Sequence, residues 1–276
     1  MHTTEPAVTA HPSLNAGPRT AFLVVDTESV PDGRLLGQVK YPGDCLSPED
    51  AITKAQDEAR QASSTGSDFL PVCFQTPIAV CVVRVASDFS IQNVSCLDAP
   101  QYRPAEIVRK FWVGVEMYQR VKLVTFNGRG FDMPLLELAA FRFGLSLRDY
   151  CQSSRNRFNG NHVDLLDWVT NFGACRLPGG LNLLAKMLGK PGKTEVTGDQ
   201  VYRMYCEGRL QEINDYCLCD TLDTYFVFLR TRVVTGDIST DQEQELVKGA
   251  RTYLEGKSGE SPALRAYLDA WSEQVV

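Results

Sequence analysis

A chain of 276 residues, 43% of them hydrophobic, can bury a full core, and one domain with added ends is expected. Its net charge of −6 argues against a surface built to grip long duplex DNA through many phosphate contacts, so any nucleic-acid contact must be local to one cleft. No apolar run approaches the roughly 18 residues of a membrane span, and the start lacks a signal peptide's basic flank and apolar block, so a cytoplasmic protein with no membrane contact is expected.

Residues 1–19 mix Pro, Thr, Ala, His and Gly without periodicity and read as a disordered leader. Residues 21–28, a β-branched and apolar run, read as a strand buried on both faces, and turn residues follow at 29–33. Residues 46–65 open on Ser47-Pro48-Glu49 and end rich in Ser and Gly, which predicts an exposed helix or a mobile flap. Residues 74–85 and 86–96 read as two strands joined by a hairpin at Ser87-Asp88. An amphipathic helix over 103–120 and a strand over 121–126 come next. Residues 131–145 read as a helix with Pro134 in its first turn, 151–162 as a polar loop, and 162–169 as a short strand or a helix start. Helices are predicted over 181–189, 199–208 and 210–234, and residues 236–276 add a charged segment and one amphipathic helix. This order is that of an α/β fold, a mixed central sheet flanked by helices, with a domain over 20–235 and a C-terminal helical extension over 236–276. The functional edge belongs where the first strand and the 121–126 strand end side by side.

Nine cysteines without a CxxC pair read as reduced thiols, and three histidines are too few for a zinc cluster, so any metal here is held by oxygen. Asp26 and Glu28 close the first strand two residues apart, hence on the same face. Paired carboxylates inside a fold repel each other, and a cation such as Mg²⁺ offsets that cost; alone, the same pair reads more readily as a polar strand end facing solvent. Asp132 begins a helix behind Asn127 and a turn eased by Gly128 and Gly130, so it is either a helix cap or a third carboxylate beside the pair. Tyr216 and Asp220, four apart on the long helix, share one face, where a hydroxyl beside a carboxylate can orient a water. Asp215 and Asp223 on that helix read as solvated.

Taken together, these elements resemble the DEDD exonuclease superfamily in its tyrosine subclass, which has the ribonuclease H-like fold. Asp26-Thr27-Glu28 matches its first motif, Asn127 with Phe131-Asp132 its second, and Tyr216-x-x-x-Asp220 its third. The chain is more closely similar to predicted bacterial exonucleases related to the proofreading domain of family B DNA polymerases. That likeness extends to HVDLLDW, LNLLAKMLGKPGK and EINDYCLCDTLDTYFVFLR, and so covers roughly residues 20 to 235.

The resemblance implies hydrolysis from the 3′ end of single-stranded DNA or RNA, releasing nucleoside 5′-monophosphates, with two divalent cations, Mg²⁺ or Mn²⁺. It implies that Asp26 bridges both cations, that Glu28 and Asp220 complete the ligands of the first cation, that Asp132 contributes to the second cation largely through water, and that Tyr216 hydrogen-bonds the attacking water. Thr27 and Asn127 are the substrate contacts expected within the motifs. Arg129, Arg155 and Arg157 either meet phosphates or are simply solvated, and Phe131 and Met133 wedge against the terminal base unless Phe131 is core. His162, Asp164, Lys190 and Lys193 either line the cleft or support the fold. The rival readings are a non-catalytic nucleic-acid-binding module on the same fold and a phosphatase or sugar-processing enzyme with paired carboxylates. Retention of every expected acid and of Tyr216 favours the enzyme.

Overall fold

Alternation along the first strand, β1 (Thr20–Pro31), divides the molecule into two cores. Leu23 and Val25 enter one and Val24 the other, because successive strand side chains point to opposite faces. The computed structural model describes residues 18–118, 120–156, 160–192, 200–259 and 261–272. All but the last two residues of the expected leader, and Arg157 and Lys193, lie outside the described residues.

The other strands are β2 (Gln75–Ala86), β3 (Ile91–Cys96), β4 (Lys122–Thr125) and β5 (His162–Asp164), and the sheet order is β3-β2-β1-β4-β5. β2 pairs antiparallel with both β1 and β3, whereas β4 pairs parallel with both β1 and β5. Helices cover both faces of this mixed sheet, and the arrangement is the ribonuclease H-like fold. On one face α3 (Pro104–Met117) and α4 (Asp132–Phe143) set Ile107, Phe111, Trp112 and Leu136 against Leu23, Val25, Val80 and Val82. On the other, α9 (Leu210–Val234) sets Cys217 against β1 and Phe228 against Phe22, in the core that also holds Val24, Val83 and Val124.

α9 is buried on nearly every side from Ile213 to Leu229, its polar residues included. Its outer side is covered by α7 (Gly180–Met187), α10 (Thr240–Ser258) and α11 (Pro262–Asp269). Residues 236–272 therefore hold two helices rather than one, and Ala250, Leu254, Leu264, Tyr267, Leu268 and Trp271 join the same core as α9. This covering corrects the reading of Asp223 as solvated. Asp223 is fully buried and accepts a 2.7 Å hydrogen bond from the Tyr267 hydroxyl, and burial pushes its carboxyl up to about 7. Asp215 is half-buried and accepts a bond from Gln211.

Tyr267→Phe should destabilise the fold by about 1–3 kcal/mol, since it leaves a buried carboxylate bare. The loss should be larger at about pH 8, where Asp223 is ionised, than at about pH 6, where it holds a proton. Urea denaturation at the two pH values measures it.

Other elements extend the sequence reading or settle alternatives it left open. β1 runs through residues expected to turn, because β2 begins early enough to pair as far as Pro31 with Gln75, after a register shift between Glu28 and Ser29. Asp32 then caps α1 (Gly33–Val39), a helix too short to show a period in sequence. Residues 46–65 resolve as the helix α2 (Pro48–Ala62), capped by Ser47, which packs on α1 through Leu36, Ala51, Ile52 and Ala55 in a small third core. The 162–169 segment is both alternatives in turn, β5 and then α6 (Leu165–Val169). The polar loop before it starts inside α5 (Arg148–Ser153). Among the described residues no helix is long and apolar enough to cross a membrane, and the nine cysteines are free thiols.

Candidate active site

Strand parity sorts the residues of the first motif. Asp26 and Glu28 follow Val24 to the α9 face, where Asp220 waits, while Thr27 follows Val25 to the α4 face. Oxygens of Asp26, Glu28 and Asp220 lie within 4.8 Å of one another. On the other side, the Thr27 hydroxyl donates a 2.7 Å hydrogen bond to Asp132 Oδ1 at the start of α4. Tyr216, buried one helical turn before Asp220, hydrogen-bonds the Asp220 carboxylate.

The electrostatics follow from this crowding. Asp26 is pushed well above the usual carboxylate range by burial and then by the charges of Asp132, Asp220 and Glu28. Burial pushes Asp132 up to about 7 against the bond from Thr27. Burial, with Asp220, Glu28 and Asp26, raises the Tyr216 phenol, which keeps its proton. Among the described residues no Lys or Arg pairs with Asp26, whose hydrogen-bond partner is the Cys217 thiol on its backbone oxygen at 3.3 Å. Three hard oxygen donors this close together are a set that a divalent cation fits. Asp26, Glu28 and Asp220 could hold one directly, with Asp132 alongside.

The second motif is a tied turn. Asn127 takes a left-handed backbone conformation (φ 64°), and Asp164 accepts hydrogen bonds from the amides of Asn127 (2.9 Å), Arg129 (2.8 Å) and Leu166 (3.1 Å). Gly128 lies so close to Thr125 that a Cβ there would sit 2.2 Å from its hydroxyl oxygen. That hydroxyl is hydrogen-bonded to His162, whose imidazole burial and then Arg129 push down to about 3, so it stays neutral. The position of Asp132 thus depends on Asp164 through the turn. Asp164→Ala should cost about 2 kcal/mol, because it strips an N-cap and leaves amides of the turn without acceptors; a urea midpoint equal to the parent's would show that the turn holds without it.

The remaining residues are scattered. Phe131 is half-buried, 5.6 Å from the exposed Phe69, which no motif signalled because it enters from the segment after α2. Met133 is buried in the α4 core, which removes it as a wedge. Arg129 donates to the His162 carbonyl at 2.7 Å and pairs with Asp167 at 3.4 Å. Arg155 is exposed and pairs with Glu137 at 2.9 Å. Cys217, which bonds the backbone of Asp26, escaped sequence reasoning because a thiol inside an apolar helix carries no signal.

A family model described as a predicted 3′-5′ exonuclease related to the exonuclease domain of PolB matches residues 67–271. The match contains Asp132, Tyr216 and Asp220, begins after β1, and continues through α10 and α11. Among solved structures, the chain is similar to the family B DNA polymerase from the hyperthermophilic archaeon Pyrobaculum calidifontis, with 15% identity and a TM-score of 0.48 over 80% of this chain. It spans 25% of that polymerase. No curated protein matches it significantly. With about three quarters of its length matched, the chain belongs to the family of predicted 3′-5′ exonucleases related to the exonuclease domain of PolB.

Proposed function

We propose that this protein hydrolyses single-stranded DNA or RNA from the 3′ end, releasing nucleoside 5′-monophosphates, with two divalent cations, Mg²⁺ or Mn²⁺, held by Asp26, Glu28, Asp132 and Asp220. The observation that carries this reading is the convergence of Asp26, Glu28 and Asp220, from two separate elements, within 4.8 Å. Bound there, such cations would neutralise the scissile phosphate and lower the pKa of the attacking water. Tyr216, protonated and aimed at Asp220, hydrogen-bonds that water and orients it toward phosphorus. Water adds to phosphorus as the bond to the 3′ oxygen breaks, and the proton given up by water ends on the leaving oxygen. Thr27 and Asn127 shape the cleft wall, Phe131 stacks on the terminal base, and Arg129, Arg155 and Arg157 meet the backbone.

Tyr216→Phe should lower kcat by about tenfold to a hundredfold while KM stays near the parent's, because it removes an orienting bond and no cation ligand. An unchanged kcat in single-turnover assays would remove Tyr216 from the mechanism. The reading as a whole is tested with 5′-labelled single strands of DNA and RNA of one sequence, in Mg²⁺, Mn²⁺ or EDTA. A metal-dependent ladder shortening from the 3′ end is expected. Binding without cleavage of either strand in any metal would favour a non-catalytic module.

A further inference from the structure

A concave site lies away from the carboxylates. It is a cavity of about 570 Å³ between the loop after α7, the outer side of α9, α10 and Trp271, within the size range of small-ligand pockets. Lys190 lines it while only 7% exposed. Its ammonium sits 4.0 Å from the Trp271 ring centre and 4.9 Å from that of Phe226, yet it forms no hydrogen bond or ion pair among the described residues. Aromatic faces attract an ammonium but accept none of its three hydrogen bonds in full strength, and a buried charge lacking an acceptor is costly.

The surrounding charges sharpen the point. Glu243 is spent on Arg230, which it holds at 2.8 and 2.9 Å. Arg251 lies 5.6 Å from the same Trp271 ring and reaches back to Glu255 at 3.0 Å. Lys248, at the rim, is paired only loosely with exposed Glu245 at 3.3 Å. Two cations thus share one indole beside an open cavity.

We propose that this cavity binds a phosphate monoester of nucleotide size, its phosphate taken by Lys190 together with Arg251 and Lys248. One buried ammonium with two further cationic side chains at the rim suits phosphate, and the apolar walls supplied by Phe226 and Trp271 suit the organic part. Burial pushes Lys190 down to about 8, helped by the neighbouring arginines and opposed by Glu243 and Asp223; an anion at the ammonium would reverse that shift. The site is independent of the exonuclease reading, since none of its residues belongs to the carboxylate cluster.

Calorimetric titration of the full chain in EDTA, with adenosine 5′-monophosphate and with inorganic phosphate as probes, tests it. The nucleotide should bind saturably, more tightly than phosphate, and Lys190→Met, which keeps the stem against Trp271, should weaken it about tenfold or more. Asp220→Asn should bind the nucleotide as the parent does, which separates this cavity from the metal site. If Lys190→Met does not fold, Arg251→Gln should show the same loss. The proposal is overturned if neither probe binds saturably, if the folded variant binds the nucleotide as tightly as the parent, or if Asp220→Asn abolishes binding. Equal affinity for inorganic phosphate would overturn the nucleotide-sized ligand.

Discussion

Asp26→Ala and Asp220→Ala should each lose about a thousandfold or more of exonuclease activity, equivalent to roughly 4 kcal/mol of transition-state stabilisation, while melting no lower than the parent in EDTA. The two halves of this expectation have one cause. Asp26, Glu28 and Asp220 are close enough to share a cation, so on the proposed mechanism deleting either aspartate removes a ligand. Asp26 is also held well above the ordinary carboxylate range by burial and by Asp132, Asp220 and Glu28, so without a cation its charge opposes folding. Removing one repelling acid should leave the melting temperature unchanged or raise it by about 2–5 °C. Thermal melts beside the labelled-strand assay check both. Severe unfolding of both variants would make these carboxylates structural.

Added Mg²⁺ should raise the melting temperature of the parent by about 5–10 °C at near-saturating concentration, and the rise should grow between about pH 6 and pH 8. The sign follows from Asp132, whose pKa is raised to about 7 in the fold, and from Asp26, which burial and its acidic neighbours also hold well above the usual carboxylate range. A raised carboxyl contributes stability below its unfolded pKa, near 4, and loses that contribution as pH climbs through the folded value. In EDTA the fold should therefore weaken from about pH 5 toward pH 8 as these buried acids are forced to ionise. A cation binds the ionised form, so its benefit appears over the same range. Melts across this pH range, with and without Mg²⁺ and with Asp26→Ala as control, measure the effect. A metal-induced shift that is flat with pH, or that survives in Asp26→Ala, would place the cation elsewhere.

Legibility of the site in the sequence followed the range of the interactions. Asp26 and Glu28 were readable as a same-face pair because strand parity is local, and Tyr216 with Asp220 because a helical turn is local. Asp132 stayed ambiguous between cap and ligand, and the fold makes it both the first residue of α4 and a charge felt by Asp26. Asp223 misled because its environment depends on Tyr267, 44 residues away, on a helix whose docking place no local pattern names. Met133 was attractive as a wedge by adjacency to Asp132, yet one step along a helix turns a side chain into the core. The strands and long helices were legible from periodicity; α1 and α5, at seven and six residues, were not.

The parity of β1 also limits how this protein can vary. Insertion or deletion of a single codon between Phe22 and Asp26 would invert the strand downstream, sending Thr27 toward α9 and both acids toward α4, and would put Val25 in the core that Val24 fills. Such a lesion would break up the carboxylate cluster and scramble two cores at once, whereas a two-codon change would restore the facing. Length changes in this segment should survive selection only in steps of two.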